Sequence, residues 1–284
     1  MSQFFGPLNA ITGSNIGPMR YTESGPPRFG GIPYDAMEIF SLKVTELKEV
    51  AVRDSLDHKR NVLFDRSKEN CQTLTAEDSS LALTGPSRAI ALIDPLEFEV
   101  ELRVLGSRPS EETVLSALYF EYSNNSYNYS KSGLVRTQKR SSKRSTIELK
   151  YSQLHDPLEA TIEVRHKGLC DFHGRFYAHV EYMGEDDIVL LDSRDLKVNF
   201  TPDGRVLLSR NVVLIEEGAK LILGVKAWQN GDVHIIVLWK TRLNSLLDST
   251  AEATHPLMLG SVRCLLLLLG LYFARSCFCN LLGS

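Results

Sequence analysis

The residues best suited to holding a metal ion sit close together at His166, Cys170, His173 and His179. Cys170-x-x-His173 has the spacing at which a thiolate and an imidazole on one tight turn can share a zinc ion. A structural zinc site wants four such ligands, usually as two tight pairs. Here His179 faces outward on a period-two segment and His166 ends another such segment. Cys170 and His173 therefore stand as the metal candidates, but we read them as part of a hairpin turn and expect no metal or cofactor.

Other chemistry-bearing groups lack a matching pattern. Glu185, Asp186, Asp187, Asp192, Asp195 and Asp203 could offer oxygens to calcium, but no D-x-D-x-D-G loop orders them, and solvated turns account for them. Lys139, Arg140, Lys143 and Arg144, with Lys131 and Arg136 upstream, could meet phosphate, while Tyr127 and Tyr129 could stack on single-stranded bases. The formal charge of −3 opposes bulk attraction to a polyanion. The expected partner is thus an unidentified protein rather than nucleic acid. No G-x-S-x-G elbow, Gly-rich phosphate loop or H-E-x-x-H occurs in the chain.

Residues 257–274 are the stretch through which a membrane could be reached. The uncharged run 264–274 is eleven residues long, against about twenty for a spanning helix. Extending it back to Leu257 takes in Arg263, which is costly at the bilayer centre but can snorkel near an end. Arg275, Cys277 and Cys279 would then flank the bilayer, the cysteines open to acylation. The competing readings are a buried apolar segment and an ending foreign to the domain, from altered splicing or a shifted frame.

The elements that must position these groups read as strands. Phe98, Val100, Leu102 and Val104 alternate with Glu97, Glu99, Glu101 and Arg103. Leu158, Ala160, Ile162 and Val164 do so with Glu159, Thr161, Glu163 and Arg165, and Phe176, Ala178, Val180 and Tyr182 form a third such set. A period of two puts each apolar set on one face of a sheet. Thr84-Gly-Pro, Thr201-Pro-Asp-Gly and Asn230-Gly231 mark turns. Further strands are expected at 71–75, 88–93, 196–200 and 206–209, and the polar stretch 123–145 as the longest loop. Roughly a dozen strands at ten-residue intervals, with no useful helical period, predict an all-β fold, an antiparallel β-sandwich. The division is a disordered, Gly- and Pro-rich leader (1–35), a β-sandwich domain (36–245) and an atypical apolar tail (246–284). Met1 begins no basic-then-apolar secretory signal, and the odd count of five cysteines is no disulfide framework. The expected location is the cytoplasm, or the membrane through the tail.

Several blocks, taken in order, carry a resemblance. They are Val52-Arg-Asp, Lys59-Arg-Asn, Asn70-Cys-Gln-Thr-Leu-Thr, Leu83-Thr-Gly-Pro, Asp94-Pro-Leu-Glu-Phe-Glu-Val, Glu159-Ala-Thr-Ile, Val189-Leu-Leu-Asp-Ser, Leu208-Ser-Arg and Val225-Lys-Ala-Trp. Over residues 36–239 the chain resembles a plant, mainly grass, domain-of-unknown-function family, number 6598. The resemblance implies a β-rich domain with no assigned activity and no site residues to carry over. Some members of that family carry the domain fused to a ribosome-inactivating N-glycosidase domain, which implies a defence context; no such domain is evident here. That enzyme class uses a neighbouring Glu and Arg with base-stacking tyrosines. Glu159 and Arg165 supply the two types, but on the polar face of one strand. From Lys240-Thr-Arg-Leu-Asn-Ser onward the chain departs from the family pattern, so the closing strand is expected to be incomplete. The resulting reading is a non-enzymatic interaction module linked to defence. The alternatives are an N-glycosidase-related or other hydrolytic enzyme and a tail-anchored membrane protein.

Overall fold

A computed structural model of the chain describes residues 35–43, 50–54, 60–67, 71–75, 79–93, 95–105, 112–123, 132–167, 172–181, 183–184, 186–194, 196–216, 218–229, 232–242, 253–259 and 262–275. Sixteen strands run through them. The first eight are β1 (Ala36–Lys43), β2 (Val50–Arg53), β3 (Asn61–Phe64), β4 (Ile90–Ala91), β5 (Leu96–Leu105), β6 (Glu112–Tyr122), β7 (Val135–Ser141) and β8 (Thr146–Leu154). The others are β9 (Leu158–Lys167), β10 (His173–Val180), β11 (Ile188–Ser193), β12 (Val212–Ile215), β13 (Lys220–Gln229), β14 (Asp232–Arg242), β15 (Ala253–Leu259) and β16 (Val262–Arg275). They pair into four antiparallel sheets: A (β4-β1-β8-β7), B (β3-β2-β5-β6), C (β12-β9-β16-β15) and D (β11-β10-β13-β14). The all-β antiparallel architecture expected from the alternation is the one the chain adopts.

The sheets divide the chain into two halves. Strands β1–β8 build sheets A and B, and β9–β16 build sheets C and D. Within the first half Met37, Ile39, Leu42, Leu63, Phe98, Val100, Ile147 and Tyr151 are buried in one cluster. Within the second, Ile162, Val164, Phe176, Ala178, Leu190 and Val225 belong to another. Strand β1 serves both clusters. Met37 and Ile39 face the first core, whereas Ala36 and Phe40 face the second. A bulge between Ile39 and Ser41 then inserts one residue, which restores Leu42 to the first core despite its opposite parity. Strand β1 is thereby shared between the two cores.

Six sequence expectations are corrected. The stretch 123–145 is not all loop: it contains β7, which pairs along β8. Strand β7 lies at a sheet edge, so polar side chains suit both of its faces and no apolar alternation betrays it. The expected strand 88–93 shrinks to β4, because Arg88 turns away to Asp54 and the Ala89 N–H donates to Glu159. Residues 71–75 form no strand, and 196–200 and 206–209 contribute only the Phe200–Val206 bridge. The closing strand is present as β14, paired with β13 from Lys220↔Arg242 to Gln229↔Asp232. The Leu-rich tail adds two further strands, with β16 lying between β9 and β15.

Candidate functional site

The chain passes from one half to the other through His155, Asp156 and Pro157, the three residues between β8 and β9. Asp156 takes φ +43°, a left-handed conformation that an Asp side chain tolerates better than most. Pro157 is buried and sets the entry into β9. The crossover is therefore tight, and groups from three other places close on it. Asp35 leads into β1, Ser132 precedes β7 and Glu216 follows β12.

The geometry centres on His155. Its Nδ1 lies 2.8 Å from Asp35 Oδ1, and its Nε2 lies 3.6 Å from Asp156 Oδ2. Its backbone N–H donates to Ser132 Oγ at 2.9 Å and to Glu216 Oε1 at 3.0 Å. The Ser132 hydroxyl in turn donates to the same Glu216 oxygen. The hydrogen bond to Asp35 is the main reason the imidazole is held above its ordinary pKa. Burial opposes this, and the charges of Asp156, Asp35 and Glu216 each add a smaller rise.

Among the described residues, Asp35, His155 and Asp156 are the one group whose potential ligand atoms all lie within 4.8 Å of one another. The two ring nitrogens, however, face different carboxylates. Both edges of the imidazole are engaged, an arrangement that favours the protonated ring between two acids. Nor is it a nucleophile relay, since Ser132 donates to Glu216 and meets His155 through its backbone.

Buried ionic ties flank this joint. Arg210, only 1% exposed, donates through Nε to the Val212 carbonyl at 3.0 Å and through its terminal nitrogens to Glu38 and the Ile39 carbonyl. Glu38 also accepts the Leu214 N–H at 2.7 Å, so β1 is fastened to β12. Arg88 grips Asp54 in a two-point pair at 2.6 and 2.7 Å. Next to it, the Ala89 N–H donates to Glu159 of β9 at 2.7 Å. Burial raises the pKa of both Glu38 and Glu159, against the pull of the nearby arginine in each case.

The described residues among those singled out from sequence lie apart from the His155 cluster. Cys170, Lys131, Tyr127, Tyr129, Glu185 and Asp195 lie outside the described residues. His173 opens β10 opposite Trp228. His166 is buried and stacks on Phe200 at 4.5 Å, while His179 faces Asp187 at 3.4 Å. The acidic residues pair locally, Asp186 with Lys150, Asp192 with Arg194 and Asp203 with Arg165. Lys139 and Arg140 stand on β7 and Lys143 and Arg144 in the turn after it. Lys139 pairs with Glu148 at 3.1 Å, the Arg140 guanidinium covers the Phe120 ring at 5.2 Å, and Arg144 reaches the Val114 carbonyl at 3.4 Å. Much of that basic run is thus engaged in joining β7 to its neighbours. The His155 cluster was missed because its partners are remote in sequence; His155-Asp-Pro alone looks like an ordinary turn.

An all-β antiparallel protein in two halves, joined by a short charged crossover, is the class these features define. The chain belongs to the DUF6598 family, a domain of unknown function, whose model matches residues 36–249. A comparison with curated protein sequences gives no match. Among solved structures, human GIVD cytosolic phospholipase A2 is similar over 85% of this chain and 33% of its own, at 11% identity and a TM-score of 0.27. The first and second C2 domains of extended-synaptotagmin 2 are similar over 92% of this chain and 99% of their own, at 10% identity and a TM-score of 0.27. Structural agreement this slight carries no functional argument.

Proposed function

We propose that this protein is a non-enzymatic β-sandwich interaction module. The observation that supports the reading is where its enclosed ionic groups go. Arg210 with Glu38 links β1 to β12, and Glu159 links β9 to the segment before β4. These groups join the halves into one body and leave the solvated sheet faces as the surfaces for recognition. The resemblance to a grass family, some of whose members are fused to a ribosome-inactivating domain, makes plant defence the context to test first. The same reading keeps the protein in the cytoplasm. Fractionation of the full chain beside a form truncated before Leu257 tests that part, and membrane recovery of the full chain alone would favour a tail anchor.

The glycosidase alternative has little to stand on. Glu159 and Arg165 are six positions apart on β9, roughly 20 Å along an extended strand, and both have local partners: Ala89 for Glu159, and Glu163 and Asp203 for Arg165. The deciding experiment incubates purified full-length protein with ribosomes and measures released adenine, beside a binding assay against extracts. The module reading expects no adenine above background and a partner retained at fixed stoichiometry. Catalytic adenine release would overturn it.

A further inference from the structure

The crossover between the halves carries a titratable cluster at the surface that, unlike the enclosed Arg210–Glu38 pair, solvent protons can reach directly. It draws groups from both halves. We infer that His155 is a pH-operated clasp at this joint, closed when its imidazole is protonated and loosened when it is neutral. The charged groups facing it are Asp35 from the lead into β1, Asp156 from the crossover itself and Glu216 from the end of β12. Ser132, the fourth member, is uncharged and comes from the segment before β7.

The chemistry follows from how imidazole carries protons. A protonated ring donates from both nitrogens, so it satisfies Asp35 at 2.8 Å and attracts Asp156 at 3.6 Å together. A neutral ring has one N–H. Whichever nitrogen loses its proton then turns a lone pair toward a carboxylate, and three acids are left around a ring without charge. One attraction becomes a repulsion at the residue whose backbone N–H also ties Ser132 and Glu216 to the crossover. The raised pKa has the matching direction: the clasp is fully closed below the ordinary histidine value and opens as pH rises through the raised one. Because the group is exposed, the effect is local rather than a determinant of global folding.

The test is hydrogen exchange of the His155 amide in the full-length protein, with protection factors corrected for the intrinsic pH dependence of exchange. Between pH 5.5 and 8 the wild type should lose about two- to fivefold in protection, the factor set by one exposed ion pair. His155→Gln should be poorly protected at both values, and His155→Lys, charged throughout, should remain protected at both. A wild-type profile flat with pH, or a Gln variant that keeps the wild-type pH dependence, would overturn the inference. An NMR titration of the wild-type His155 ring is independent of any variant's folding. A midpoint above about 6.5 is expected, and one at or below that ordinary value would also overturn it.

Discussion

The Arg210 guanidinium donates to the Glu38 carboxylate across 172 residues of chain, inside the layer where the two halves meet. Both side chains are at most 1% exposed. Two ions enclosed together are tolerated because their remaining hydrogen-bonding capacity is met by the Ile39 and Val212 carbonyls and the Leu214 N–H.

Removing one partner should therefore be much worse than removing both. Arg210→Met leaves an uncompensated carboxylate and is expected to lower stability by about 3–5 kcal/mol. Adding Glu38→Met takes the stranded charge away and should recover a large part of the loss. Urea unfolding of the two single variants and the double variant measures the coupling. Additive losses would mean the pair does not act as a unit.

Glu159 gives a pH-dependent prediction. Burial holds its pKa above the ordinary glutamate value, against its hydrogen bond from Ala89 and the charge of Arg88. A carboxylate shifted upward stabilises the fold fully below the unfolded value, and that contribution is lost as pH rises through the folded one. Glu159→Gln keeps an oxygen for the Ala89 N–H and cannot ionise. The variant should match the wild type near pH 4 and exceed its melting temperature at pH 7.5 by about 2–4 °C, the shift that 1 kcal/mol makes in a domain of this size. A variant less stable at neutral pH would show that the charged form is the favoured one.

How much of this was legible in the sequence depends on which residues face a core. Strands β5, β9 and β10 could be read because one face is apolar and the other polar, as at Phe98, Val100 and Leu102 against Glu97 and Glu99. Strand β7 could not, since an edge strand of Arg136, Gln138 and Arg140 has no apolar face to show. The bulge at Ile39/Ser41 is likewise invisible, although it decides which core Leu42 enters. The His155 cluster was hidden for a different reason. Its partners Asp35 and Glu216 lie 120 and 61 residues away: the pairing of β1 with β8 sets Asp35 beside it, and the pairing of β12 with β9 brings Glu216.

Gly224 is a place where a missing side chain is required. A Cβ there would lie 2.5 Å from the Tyr177 ring and hydroxyl. The ring has little freedom to yield, because Tyr177 is buried and lies directly opposite Gly224 in the β10–β13 pair. Gly224→Ala is expected to cost about 1–3 kcal/mol through overpacking. In a Tyr177→Val background the same change should be nearly neutral, because the obstructing ring is gone. Thermal or urea denaturation of the four-member cycle decides the point, and an equal cost in both backgrounds would place the strain elsewhere.

The register of the tail can be tested directly. Gly270 of β16 lies opposite Glu163 of β9, and Leu266 lies opposite His166. Directly opposed residues of an antiparallel pair have Cα atoms about 4.5–5.5 Å apart, within the range a disulfide spans. In a background with the five native cysteines replaced by serine, Glu163→Cys with Gly270→Cys should form an intramolecular disulfide under mild oxidation. Glu163→Cys with Leu266→Cys, offset by about 10 Å along the strand, should not. The result also bears on the membrane alternative, because a segment hydrogen-bonded to β9 on one edge and β15 on the other cannot at the same time be a spanning helix. Equal cross-linking of both pairs, or of neither, would remove β16 from sheet C and reopen the tail as an anchor.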